Sequence, residues 1–81
     1  MNFFVYVLGS KGNPIKTYVG WTNNLGKRLL KHNSGTGAKF TRGRKWKIIY
    51  SETISSKNKA MSREHEIKKN RKFRSFLRSK V

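Results

Sequence analysis

Residues 17–35 read TYVGWTNNLGKRLLKHNSG, and this stretch decides the fold. Lys16 to Trp21 is rich in β-branched and aromatic side chains and reads as a strand. Asn23 or Asn24 suits the N-cap of a helix over Leu25–His32. Leu25 and Leu29, one turn apart, belong on its core face, and Gly26 falls in the first turn where it costs little. The run NSGTG then ends the helix with asparagine and glycine, residues that accept left-handed backbone. Strand, tight turn and basic helix therefore follow one another within nineteen residues. Arg28 and His32 lie four apart on one side of that helix.

Upstream, Phe3–Leu8 is an unbroken apolar run and reads as a buried strand. GSKGNP supplies turn chemistry, so the first two strands form an antiparallel hairpin with a loose loop. Downstream, a basic loop spans Ala38 to Lys45. Trp46–Glu52 alternates as a third strand, with Trp46, Ile48 and Tyr50 expected on one face and Ile49 on the other. Ser55 or Ser56 caps a second helix ending near Lys69, with Ala60, Glu64 and Ile67 on one face. Glu66 is turned about 200° away from Glu64 and belongs to the solvated side. From about Arg71 a basic C-terminal segment forms a further short helix or tail, with Phe73, Phe76 and Leu77 as its apolar face. The order β-β-α-β-α, with a possible last α, defines one small α+β domain over residues 1–81, built on a mostly antiparallel three-stranded sheet flanked by helices.

The chain has 81 residues, of which 20 are Lys or Arg and three are acidic, for a net charge of +17. A domain of this size buries only about 60–65% of its unfolded surface, so any site is a shallow cleft. Such a charge seeks a polyanion, and nucleic acid is favoured because Lys and Arg release its condensed counterions. A membrane surface would call for one long amphipathic helix, and the cations here are spread over strands and helices. With no cysteine, disulfides and thiolate metal sites are excluded. The opening run NFFVYVLG lacks a basic leader and a cleavage site and is too short to span a bilayer, so a cytoplasmic location is expected, nucleoid association included.

The acidic inventory limits the chemistry. Glu52, Glu64 and Glu66 are the only carboxylate side chains. A two-metal site needs several, whereas one Mg²⁺ held by a single glutamate, waters and a substrate phosphate does not. Glu64 is either a salt-bridge partner or such a ligand, and its place on an apolar face weakens the first choice. Arg28 suits bidentate phosphate recognition and transition-state charge, although most of the cations simply form a solvated face. His32 has a proton to trade near neutral pH, or is a helix C-terminal residue favoured by the dipole. Tyr6 and Tyr18 either pack the sheet or order a water. Neither a hydrolase triad nor a phosphate loop is present.

In this order the residues resemble the GIY-YIG nuclease superfamily, in its compact bacterial single-domain branch of small uncharacterised proteins. FVYVL, with Tyr6, is similar to the first motif, and YVG, with Tyr18 and Gly20, to the second. Arg28 stands ten residues after Tyr18, where the family has its helix arginine, and His32 where members often have histidine or tyrosine. Glu64 in AMSREHEIKK matches the metal-binding glutamate. HNSGTGAKFTRGRKWKIIYSE and REHEIKK are the branch's strongest signatures. Phe4 replaces the first-motif glycine, and Trp21 stands where several members carry Lys, Ser or Thr. The resemblance implies a metal-dependent endonuclease acting on DNA, with RNA as a further partner, in repair or recombination. Tyr6, Tyr18, Arg28 and His32 would be its catalytic residues, and Glu64 would hold one Mg²⁺ or Mn²⁺ opposite them. Gly20, Trp21, Lys27, Lys31, Lys39, Arg42, Arg44 and Lys45 are expected to face nucleic acid. A rival reading keeps the fold and the charge as a basic nucleic-acid-binding module with weak or no activity, with Trp21, Phe40 and Trp46 as stacking surfaces. A ribosome-associated protein is a further rival.

Overall fold

The structure is a computed structural model that describes residues 2–12, 14–37, 39–41 and 43–80. Strands β1 (Phe3–Ser10) and β2 (Thr17–Thr22) form the expected hairpin. Helix α1 (Leu25–Ser34), a short 3₁₀ turn (Lys39–Thr41), strand β3 (Trp46–Ile54) and helices α2 (Lys57–Lys69) and α3 (Arg71–Ser79) follow. The strands lie in the order β2-β1-β3, and both pairings are antiparallel. The fold is therefore α+β, and the C-terminal segment is a true helix.

The central strand explains the sheet. β1 is bounded by a partner on each side and helices on each face, so every residue from Val5 to Ser10 is buried. Its alternation divides the core in two. Val5 and Val7 face α2 and α3, and join Val19, Ala60, Ile67 and Leu77. Tyr6 and Leu8 face the other way, onto Trp46, with Tyr18, Leu25, Leu29 and Ile48 packed around them. The chain thus puts helix α1 on one face and the α2–α3 pair on the other. Among the described residues no helix is long and apolar enough to cross a membrane.

Local signals set the helix ends. Asn24 caps α1 by accepting from the Lys27 amide at 3.1 Å, and Ser56 caps α2 through Lys59 at 3.2 Å. Gly35 closes α1 at φ +84°, a conformation that suits glycine.

Two expectations are corrected. Tyr50 does not share a face with Trp46 and Ile48. Val7 pairs with Tyr50 and Leu8 with Ile48, so Ile49 is an extra residue in a β-bulge. A bulge resets the alternation, and Tyr50 joins Ile49 on the α2–α3 side. Phe76 is 52% exposed rather than packed, because Phe73 and Leu77 alone supply α3's core contacts.

Candidate active site

The Tyr6 side chain leaves the middle of β1 toward α1 and is only 1% exposed. A buried phenol needs partners for its hydroxyl, and α1 provides two. His32 Nε2 lies 2.9 Å from the Tyr6 oxygen, and Arg28 Nε donates to it at 3.4 Å. One helical turn separates these two side chains, so a single helix face delivers both to one atom. The other imidazole nitrogen, Nδ1, lies 2.9 Å from the Thr41 hydroxyl. Thr41 is itself fully buried on the 3₁₀ turn. Both neutral tautomers satisfy the chain: Tyr6 donates to Nε2 while Nδ1–H donates to Thr41, or both bonds run the other way. The Tyr18 ring lies against the imidazole with centroids 4.9 Å apart.

Burial and charge set the protonation. Burial pushes the Tyr6 phenol above its usual range, and Arg28 only partly offsets this. Burial, reinforced by the Arg28 charge, lowers the His32 imidazole, which is therefore neutral at physiological pH. Arg28 is held protonated chiefly by its bond to Tyr6, with Tyr18 contributing. The result is one fixed positive charge beside a neutral, hydrogen-bonded ring pair.

Close packing around this set depends on two glycines. A Cβ on Gly20 would lie 2.5 Å from the Tyr6 hydroxyl, and one on Gly37 would lie 2.7 Å from His32 Nδ1. Gly20 is buried, so its place in the structure is clearance for Tyr6 rather than an exposed surface. The Asn33 amide clamps the start of β3, donating to the Trp46 carbonyl at 3.1 Å and accepting from its amide at 2.6 Å. Trp46 in turn donates from Nε1 to the Thr41 carbonyl at 2.9 Å.

The structure brings Tyr6, Tyr18, Arg28 and His32 together. Lys27, Lys31, Lys39 and Lys45 are exposed and Arg44 is half-buried, while Arg42 lies outside the described residues. Trp21 points to the opposite face, packed on Phe3 with ring centroids 6.2 Å apart and on the α2–α3 core. Trp46 is 3% exposed and is not a stacking surface. Phe40 is 52% exposed and lies 6.1 Å, centroid to centroid, from Tyr18. Reading by residue type passed over Thr41 and Asn33, because their partners come from distant segments that no spacing announces.

The acidic residues sort themselves. Arg63 grips Glu52 with Nε at 2.8 Å and Nη2 at 2.8 Å and reaches Glu66 at 3.1 Å. Tyr50 also donates to Glu52. Arg63 holds the Glu52 carboxyl below its usual range. Glu64 stands apart, 20% exposed and paired only with Lys68 at 2.9 Å among the described residues. It lies close enough for its charge to raise the Tyr6 phenol further. Among the described residues no cluster of three or more His, Cys, Asp or Glu could hold a metal. The donor set therefore does not suit an all-protein cage. It fits a hard cation held by one carboxylate, with water and phosphate as the other ligands.

One helix thus delivers an arginine and a histidine to a buried tyrosine in an α+β domain of net charge +17. The GIY-YIG catalytic domain family matches residues 2–76, and the chain belongs to it; this is an endonuclease-type domain. It is 51% identical over 67 residues to a UPF0213 protein of Clostridium perfringens, covering 82% of this chain and 70% of that protein. It is 44% identical over 69 residues to the UPF0213 protein YazA of Bacillus subtilis, covering 84% and 68%. The solution NMR structure of a UPF0213 protein from Bacillus halodurans has the same fold, with a TM-score of 0.55 and 38% identity over 98% of this chain and 84% of that one.

Proposed function

We propose that this chain is a metal-dependent endonuclease that hydrolyses DNA phosphodiester bonds and prefers single-stranded or branched DNA, the substrates of repair and recombination. One observation carries the reading. The Tyr6 hydroxyl is held by both Arg28 and His32 inside a domain whose general attraction to phosphate needs no such set. Arg28 faces the scissile phosphate with the part of its fork that Tyr6 leaves free and stabilises the charge developing there. Tyr18 is only half-buried, so it is the tyrosine able to order the attacking water. Tyr6, closed off from solvent, positions Arg28, and neutral His32 orients both rings. Glu64 is the residue that would hold Mg²⁺ or Mn²⁺, whose chemistry when bound is to neutralise the leaving 3′ oxygen. Phe40, exposed beside Tyr18, supports the single-strand preference, since an unpaired base can stack on it.

The second reading, a basic binding module with little activity, draws on the closure of Tyr6 and His32 from solvent, at 1% and 0% exposure. One experiment separates the two. Labelled single-stranded, flapped, branched and duplex DNA, with RNA counterparts, is incubated with the protein with and without Mg²⁺ or Mn²⁺. Metal-dependent scission of the single-stranded or branched forms is expected. Tight binding without scission in either metal would establish the module instead.

A further inference from the structure

Helix α3 carries a second cationic site that the active-site set does not use. Arg71, Arg74, Ser75 and Arg78 line one depression of about 430 Å³. At 100° per residue these positions fall within about 100° of one another, and Arg74 sits at the edge nearest Leu77, which with Phe73 faces the core. The helix's lysines, Lys72 and Lys80, lie off this face, so three of the chain's seven arginines share it alone. Ser75 accepts from Arg78 Nη2 at 2.9 Å, which fixes that guanidinium toward its neighbours. Arg74 Nε is buried with no hydrogen-bond partner among the described residues. A buried donor without an acceptor is costly, and three guanidiniums side by side repel.

The chain has no carboxylate side chain to relieve them. Glu52 and Glu66 are taken by Arg63 and Glu64 by Lys68. A phosphate brought from outside would relieve them, since planar arginine forks around a small depression match its oxygens. We propose that this face of α3 binds the phosphodiester backbone of nucleic acid at a second site. Because α3 packs on the sheet face opposite Tyr6 and His32, the phosphates held there belong to a different stretch of backbone from the one at the active site. The site anchors a flanking strand or a second arm of the substrate. It is a binding property, independent of whether the Tyr6 site cleaves.

Two measurements test it in EDTA. The first is the salt dependence of binding to a short labelled DNA duplex, by fluorescence anisotropy. Replacing Arg71, Arg74 and Arg78 together by Gln should lower the slope of log affinity against log salt by about 2.7, or 0.9 per lost phosphate contact. Lys11, Lys47 and Lys59, all exposed, are replaced by Gln as a charge-matched control, and their slope should change by less than about 1. Equal changes in the two triple variants, or none in the arginine one, would overturn the proposal. The second uses the wild-type protein and does not depend on how the variants fold. The Arg74 Nε–H NMR resonance should move on adding duplex at phosphate concentrations where inorganic phosphate leaves it in place. An unmoved resonance, or equal movement with both, would show that the face does not recognise nucleic acid.

Discussion

Gly20→Ala should damage the site without adding any polar or charged group. The new Cβ would stand 2.5 Å from the Tyr6 hydroxyl, 2.8 Å from Cζ and 3.2 Å from Tyr18 Cε2. Optimal contacts lie near 3.5–4.0 Å, so the ring or the strand must give by roughly 1 Å. Tyr6 is poorly placed to yield, since it is 1% exposed and its hydroxyl is tied to His32 and Arg28. Overpacking of this kind costs about 1–3 kcal/mol, and each weakened hydrogen bond about 0.5–1.5. A loss of about 0.4–1 kcal/mol of unfolded-state freedom works in the opposite direction. The net is about 2–3 kcal/mol, or a fall in Tm of about 8–24 °C for a domain of this size. Circular-dichroism melts of the wild type, Gly20→Ala, Tyr6→Phe and the double variant check the cause. Tyr6→Phe deletes the atom in the closest clash, so Gly20→Ala should cost about 1 kcal/mol less in that background. An equal cost in both backgrounds, or an unchanged Tm in the single variant, would refute the reasoning.

Other perturbations separate chemistry from packing. Arg28→Ala should cut cleavage by about 10²–10³-fold while leaving most binding intact, because it removes one cation of twenty; parallel losses in gel-based cleavage and anisotropy titration would make it an ordinary surface cation. His32 has a lowered folded-state value, so the unfolded chain binds the proton first. Its stabilising contribution should be complete above about pH 6.5 and decline as pH falls through the folded value, and His32→Phe should flatten that decline in chemical-denaturation series. Glu64→Gln should abolish metal-dependent cleavage and weaken Mn²⁺ binding by calorimetry, yet cost only about 0.5 kcal/mol, since an i,i+4 pair with a half-exposed lysine is worth little. Normal cleavage by that variant would return Glu64 to the role of ion-pair partner. Glu66→Gln is the clean control, because Glu52 is held by Arg63 and Tyr50 and its loss disturbs the fold.

Much of the fold was legible because its signals are local. An unbroken apolar run marked β1 as a buried strand, Asn23 or Asn24 and Ser55 or Ser56 marked two helix starts, and the NSGTG run a helix end. What escaped depends on pairing between segments. The bulge at Ile49 has no local signature: Trp46 to Tyr50 alternates cleanly, and only the match to Val7 and Leu8 inserts the extra residue. The same holds at the site. Arg28 and His32 at helical spacing, beside two strand tyrosines, could be read from the sequence as neighbours. Their shared bond to one hydroxyl could not, nor could the complete burial of His32, which follows from the 3₁₀ turn that brings Thr41 over it. Trp21 follows Gly20 directly in the chain, yet strand alternation sends it to the face opposite Tyr18 and Tyr6.

That alternation also ties the site to the stability of the domain. Tyr6 is flanked in β1 by Val5 and Val7, which hold α2 and α3 on the opposite face. Glu64 rides on α2 and Arg28 on α1, and the charges of both act on Tyr6 in the central strand. A shift of β1 by a single residue would exchange the faces of all its side chains. Both glutamates outside the site fall to Arg63, which fastens β3 to α2 through Glu52 and leaves Glu64 the carboxylate whose only described partner is a lysine of its own helix. In a chain with three acidic residues, the arginine that ties β3 to α2 takes two of them, and Glu64 is the one it leaves.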